Sequence, residues 1–299
     1  MFGTERDRAR KTAVYMIDDS APTTVATSLH RMRSSLSKAE LKVAEVLLSN
    51  YPVAGLGNIS SIARSAGVSE PTITRLVTKL GFDGFASFKS ALQRELQERL
   101  LPPTEIQPLS LESSGLMDMA NTMTEGMMRS LASVDQAEFA KAVRLLADPK
   151  RRVFVIGGRI SSALAKHLAW SLQVLRPNVL YVSEGIAERI NALLDAGKGD
   201  VVVAFDFRRY QADTVTFVRM ASQQGSTAIV LTDPYLSPAA GHAEIVFHAS
   251  IGGPSQFSSM VPTIAIVEAM ITLVTAELGQ RGRARMQRYV ENSEAFGQL

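Results

Sequence analysis

The sequence contains no cysteine. Disulfides, thiolate zinc sites, iron–sulfur clusters and cysteine nucleophiles are thereby excluded, as suits a reducing cytoplasm. Histidine is scarce: His30, His167, His242 and His248 lie far apart without ligand-like spacing, so neither a histidine metal site nor a bound cofactor is expected. Long hydrophobic runs are also lacking. The most apolar stretch, Val261 to Val274, is broken by Pro262 and Glu268 and falls short of the ~20 residues a bilayer requires. The N-terminus carries Glu5, Arg6, Asp7, Arg8, Arg10 and Lys11 with no apolar run behind them, which excludes a secretory signal. The expectation is a soluble cytoplasmic protein with no membrane partner.

What is present is ordinary in bulk and uneven in distribution. The chain has 299 residues, 46% hydrophobic and 20% charged, a globular composition long enough for two domains. The net charge is only +3, yet residues 31–101 hold ten basic against six acidic side chains, while residues 110–299 balance. The excess sits in the N-terminal third, as expected of a segment that meets a polyanion.

The hydrophobic pattern divides the chain. Residues 1–30 mix charged and small polar residues without a sustained apolar period and are expected to form a mobile arm. Residues 31–101 read as short helices, and Leu101-Pro102-Pro103-Thr104 ends that pattern because paired prolines cannot continue a helix. Residues 102–115 are expected to link this unit to a second, 116–299. There, β-branched runs (152–156, 179–182, 201–205, 227–231, 244–247) alternate with helical patterns (161–175, 187–195, 213–224), preceded by helices near 118–134 and 136–147 and followed by one over 259–278. Apolar strands alternating with helices predict a five-stranded parallel sheet covered on both faces, a flavodoxin-type three-layer α/β domain behind an all-α one.

Within the first unit, Ser37 stands three residues before Glu40 as a capping box. The sharpest feature is Ile59 to Leu76. Ala63 is small where two helices would cross, and Gly67, four residues on, suits a turn of positive φ. Val68, Ile73 and Leu76 fill the space between the helices. Ser69 is placed to cap the second helix, whose first turn tolerates Pro71. The face left over carries Glu70, Thr72, Thr74, Arg75, Thr78 and Lys79, an inventory of short donors, acceptors and cations for a DNA major groove. Thr72 and Arg75 are the candidates for base contact. Ser61, Arg64 and Lys79 are the candidates for phosphate, and Ser69, Glu70 and Thr74 complete the DNA-binding set. One such helix reads few base pairs, so a palindromic double-stranded operator and a homodimer or tetramer are expected partners.

Residues 34–95 resemble the N-terminal domain of the RpiR/MurR family of bacterial transcriptional regulators. The likeness rests on Leu36-Ser37, Ile59-Ser60-Ser61-Ile62-Ala63, Ala66-Gly67-Val68-Ser69, Thr72-Ile73-Thr74-Arg75, Lys79-Leu80-Gly81-Phe82 and Gly84-Phe85-x-x-Phe88-Lys89. The second unit is similar to the sugar isomerase (SIS) domain of that family, which implies phosphosugar binding and dimerisation. Its first strand–helix turn, Ile156-Gly157-Gly158-Arg159-Ile160-Ser161-Ser162, keeps Gly157 and Ser161 of a Gly-x-Gly-x-Ser pattern, with Arg159 at the second glycine. After the third strand the resemblance implies Ser-x-Ser-Gly-x-Thr, whereas Asp206-Phe207-Arg208-Arg209-Tyr210 carries none of its serines.

Two readings of that departure stand. Arg208, Arg209 and Arg159 replace a hydroxyl cradle with guanidinium, or the arginines pair with Asp206, Glu184 or another subunit. The candidate ligand site is Gly157, Arg159, Ser161, Ser162, Glu184, Asp206, Arg208 and Arg209, for a small anionic metabolite, with Ser161 and Ser162 also placed to cap their helix. Ser255 to Ser259 are placed to close it. Thr232-Asp233-Pro234 reads as turn chemistry, His167 as a packed histidine, and the stripe Met117, Met119, Met123, Met127 and Met128 as core or dimer interface. The leading expectation is a ligand-responsive DNA-binding regulator and not an enzyme. The alternatives are a non-catalytic phosphosugar-binding module or an aldose–ketose phosphate isomerase, for which Glu184, Glu188 or His248 would be the base.

Overall fold

The computed structural model describes residues 24–100, 115–253, 255 and 257–297. The head comprises α1 (Val25–Arg31), α2 (Lys38–Ser49), α3 (Ile59–Ala66), α4 (Glu70–Lys79) and α5 (Phe85–Leu100). The Ser37 hydroxyl accepts the Glu40 N–H at 3.3 Å while the Ser37 N–H donates to the Glu40 carboxylate at 2.7 Å, the reciprocal cap expected at the start of α2. Val43, Leu47, Ile62, Ile73, Leu76, Phe88 and Leu92 form one core.

The arm expected over residues 1–30 is corrected at its end. Residues 25–31 are helix α1, and Val25, Ala26 and Leu29 are buried in the head core. The Val25 N–H donates to the Glu95 carboxylate of α5 at 2.9 Å and the Ala26 N–H to the Tyr51 hydroxyl at 3.2 Å, so this N-terminus is capped by tertiary contacts. Residues 1–23 of the expected arm, and all of the expected linker except Gly115, lie outside the described residues.

The second unit begins with α6 (Leu116–Ala132) and α7 (Gln136–Ala147). It continues through β1 (Val153–Gly157), α8 (Ser162–Leu175), β2 (Val179–Val182), α9 (Ile186–Asp195), β3 (Val201–Phe205), α10 (Ala212–Gln223), β4 (Thr227–Thr232), β5 (Ile245–His248) and α11 (Val261–Ala295). The sheet is parallel, in the order β2-β1-β3-β4-β5. Alternation along each strand divides the core. Val153, Val155, Val203, Phe205 and Ile229 face α7, α8 and α11, whereas Phe154, Ile156, Val202, Ala204 and Val230 face α9 and α10. Chain order reverses between β1 and β3, which opens a crevice beyond their carboxyl ends.

The trailing helix runs further than expected. Gly279 (φ 52°, ψ −125°) breaks it at the expected end, and a second helical segment continues to Ala295. Among the described residues α11 has the length and hydropathy to cross a bilayer. Its Ile266, Val267, Met270, Val274 and Leu278 are instead buried in the core, where α11 packs on α8, α6 and α7. His167 is not packed in the core either: half exposed on α8, it meets Glu268 of α11 at 2.6 Å.

Candidate functional site

Two surfaces carry chemistry. The first is the outer face of α4. Gly67 adopts φ 62°, ψ 39°, and its N–H donates to Arg64 O (3.2 Å) while the Val68 N–H donates to Ala63 O (3.0 Å). This left-handed stop turns the chain sharply from α3 into α4. Ile73 and Leu76 anchor the inner face of α4, and Glu70, Pro71, Thr74, Arg75, Thr78 and Lys79 line an open groove on the outer one.

Several expected DNA contacts are reassigned. Thr72 is only 4% exposed and faces inward, where its hydroxyl lies 3.1 Å from Ser69 Oγ and accepts from Arg75 Nη2 at 3.3 Å. It aims Arg75 and cannot reach a base. Ser69 occupies the N-cap position of α4 without a side-chain cap bond, its hydroxyl being used by Thr72. Glu70 accepts from Ser60 at 2.5 Å, which ties α3 to α4. Lys79 donates to Ser35 O at 2.6 Å and pairs with Glu40 at 3.5 Å, so its ammonium is already engaged. Ser61 donates to Asn58 O at 2.7 Å. Arg64, Thr74 and Arg75 are exposed.

The second surface is a cavity of about 260 Å³ in the crevice beyond β1 and β3. It brings together Arg159, Ser161, Asp206, Arg208 and Arg209 of the expected set, with Gln211, Phe257 and Ser258 completing the wall. It leaves out three others. Gly157 is structural: a Cβ there would stand 2.7 Å from Ser161 O. The Ser162 hydroxyl turns back to Arg159 O at 3.1 Å. Glu184 is exposed on the loop after β2, an edge strand outside the crevice. Ser161 lines the cavity, but its hydroxyl accepts from Gly158 N (2.9 Å) and donates to Phe205 O (2.7 Å), stitching the β1 turn to β3 instead of capping α8.

Asp206 is the cavity's own anion. It is 2% exposed, accepts the Gln211 N–H at 3.1 Å and the Ser237 hydroxyl, and burial pushes its pKa up to about 6. Residues missed from sequence stand just behind it. Asp233, fully buried, accepts Arg208 N–H (2.6 Å), Tyr210 OH (2.8 Å) and Tyr235 N–H (2.9 Å), and burial raises its pKa as well. The bond to Tyr235 is the turn chemistry expected of Thr232-Asp233-Pro234.

Comparison with known proteins assigns these surfaces to two domains. The helix-turn-helix domain of the rpiR family matches residues 23–99, and the SIS domain matches residues 145–273. The chain belongs to the RpiR family. Among similar proteins, an HTH-type transcriptional regulator of Haemophilus influenzae is 26% identical over 227 residues, 74% of this chain and 78% of that protein. HexR of Escherichia coli, also an HTH-type transcriptional regulator, is 27% identical over 266 residues, 86% of this chain and 89% of that protein. The sugar isomerase domain of an RpiR transcription factor from Sphaerobacter thermophilus superposes with a TM-score of 0.55 at 23% identity, covering 58% of this chain and 97% of that one. The NanR protein of Vibrio vulnificus, solved with ManNAc-6P, gives 0.52 at 18% identity over 90% of this chain and 98% of its own.

This RpiR protein is thus a transcriptional regulator with a helix-turn-helix and an SIS domain. Laid on Asp206–Gln211, the glycine of Ser-x-Ser-Gly-x-Thr falls on Arg209, which holds φ 72°. A long side chain in the left-handed region carries backbone strain of the kind that collects at functional sites.

Proposed function

We propose that this RpiR regulator reads a roughly palindromic operator as a homo-oligomer, dimer or tetramer, in the cytoplasm, and senses a small anion in the SIS cavity. The observation that carries the reading is the convergence of Arg159, Arg208 and Arg209 on one cavity at the carboxyl end of the sheet. Guanidinium matches carboxylate and phosphate bidentately, so the effector class is a sugar phosphate or a related acid. The ManNAc-6P bound by NanR supports that class. Exposed apolar side chains on α6 (Leu116, Met117, Met128) and α9 (Ile186, Ile190, Leu194) offer surface for self-association.

An isomerase role loses its bases: Glu184 and Glu188 are exposed and line no wall of the cavity, and His248 is not part of it. Footprinting over the protein's own upstream region is expected to protect two half-sites about one helical turn apart, and protection of none overturns the operator reading. Calorimetry against a panel of phosphosugars and sugar acids tests the cavity. Arg208→Ala with Arg209→Ala is expected to weaken the binding ligand at least tenfold, and unchanged affinity overturns the assignment.

The charge of Asp206 sets a pH dependence. With its pKa near 6, this carboxyl is largely ionised at pH 7.5 and opposes an incoming anion. An anion bound beside it raises that pKa further, so binding takes up protons and affinity falls as pH rises through about 6 to 7.5. Calorimetry at pH 6.5 in two buffers of different ionisation enthalpy should show the uptake. Asp206→Asn should abolish it, and pH-independent binding by the parent protein would contradict the role given to Asp206.

A further inference from the structure

The cavity wall and the reading head share a side chain. Arg208 lines the cavity, yet its Nη1 donates to Glu98 O in the last turn of α5 at 3.1 Å. That carbonyl lacks the usual α-helical donor: its i+4 residue is Pro102, which has no N–H. Arg208 therefore serves as the C-terminal cap of a head helix while standing at the mouth of an anion site.

Around this contact the two loops at the sheet's carboxyl end act on the head as one piece. Asp233 joins them by holding Arg208, Tyr210 and Tyr235, and the Ser237–Asp206 bond joins them again. From this unit Tyr235 OH donates to Glu98 Oε2 at 2.7 Å, Tyr210 lies under the Arg99 guanidinium at 4.6 Å, and Pro234 O accepts from Thr24 at 2.7 Å. Leu236, in a left-handed backbone conformation (φ 52°), is buried in the head core. The pKa values of His30 of α1 and His248 at the end of β5 are held down to about 4, chiefly by burial, so both imidazoles are neutral at neutral pH.

We propose that anion binding and head docking compete for Arg208, so that an effector in the cavity releases the head from the sheet. An anion that takes the guanidinium breaks its bond to the Glu98 carbonyl and loosens the seam. Release then removes whatever fixed position docking gives α4, and paired half-site reading weakens with it. Linkage makes the effect reciprocal: weakening the seam from the head side must tighten anion binding although no ligand contact has changed. This rests on the reading of the cavity as an anion site, and the experiment separates the two.

The probe is inorganic phosphate at constant ionic strength, titrated into full-length protein by calorimetry. Arg99→Ala and Tyr235→Phe, neither of which lines the cavity, are expected to tighten phosphate at least threefold singly and tenfold together. A second measurement uses the absence of cysteine. A Cβ on Gly241 would stand 3.8 Å from the Ser49 Cα at the end of α2, within disulfide reach across the seam. Ser49→Cys with Gly241→Cys should therefore close on mild oxidation, and saturating phosphate should slow closure at least fivefold. Phosphate binding that Arg208→Ala with Arg209→Ala abolishes, but that neither seam variants nor disulfide closure register, overturns the competition alone. Phosphate binding that survives those arginine replacements, or no binding in any variant, overturns the cavity reading and the competition with it.

Discussion

Arg75→Glu is expected to abolish specific DNA binding, lowering operator affinity by about two orders of magnitude. Its guanidinium is exposed near the middle of α4, and the Thr72 hydroxyl at 3.3 Å restrains its direction. A good bidentate contact to a base edge is worth ~1–3 kcal/mol, and reversal adds repulsion from the phosphates on either side. Arg75→Lys separates the two modes of contact. If Arg75 reads a base, lysine loses specificity between operator and random duplex, because it lacks the planar fork. If Arg75 holds phosphate, lysine keeps most of the affinity and the slope of log K against log salt is nearly unchanged. Thr72→Val should cost several-fold less than Arg75→Glu, since Thr72 only aims the arginine. Mobility-shift titration at several salt concentrations measures all three, and equal affinity of Arg75→Glu and parent would remove α4 from the interface.

Thr72 also shows where reading from sequence runs out. Helices α2 to α5 and all five strands follow from apolar periodicity and turn residues, because a buried stripe repeats every 3.6 or 2 residues wherever an element is long enough. Helix α1 spans only Val25–Arg31, too short for a period to stand out among Thr24, Thr27 and Ser28. Thr72 is polar in a polar-looking face, but its hydroxyl is satisfied by Ser69 and Arg75 and can be buried at little cost. The cavity was half readable for a related reason. Strand-end loops at a switch point are where ligands sit, which locates Arg159, Ser161, Asp206, Arg208 and Arg209. Position along the chain does not say that β2 lies at the sheet edge, so Glu184 looked equivalent to its counterparts after β1 and β3. The contacts of Glu98 with Arg208 and Tyr235 span more than a hundred residues, and no local pattern encodes them.

The same geometry makes Asp233→Asn more damaging than its size suggests. One carboxylate oxygen accepts the Arg208 N–H, and the other accepts both the Tyr210 hydroxyl and the Tyr235 N–H. Asparagine offers only one acceptor. Whichever way the amide lies, its NH2 meets a donor, and at least one buried N–H or O–H is left unpaired. Each such group costs ~1–3 kcal/mol, and a donor–donor clash adds to it, so ~3 kcal/mol of stability should be lost. In the parent, three converging donors offset part of the cost of burying the charge, although burial still raises the pKa. Denaturant unfolding followed by circular dichroism and by Trp170, the chain's one tryptophan, should register the loss in the SIS domain. Asp233→Asn should also release both loops, and with them Arg208, so anion binding should weaken at temperatures where the variant is still folded. Asp206→Asn provides the contrast: its amide can still accept from Gln211 and donate to Ser237, so stability should change by less than about 1 kcal/mol. If the two asparagine variants unfolded alike, the loops would be held by something other than the Asp233 carboxylate.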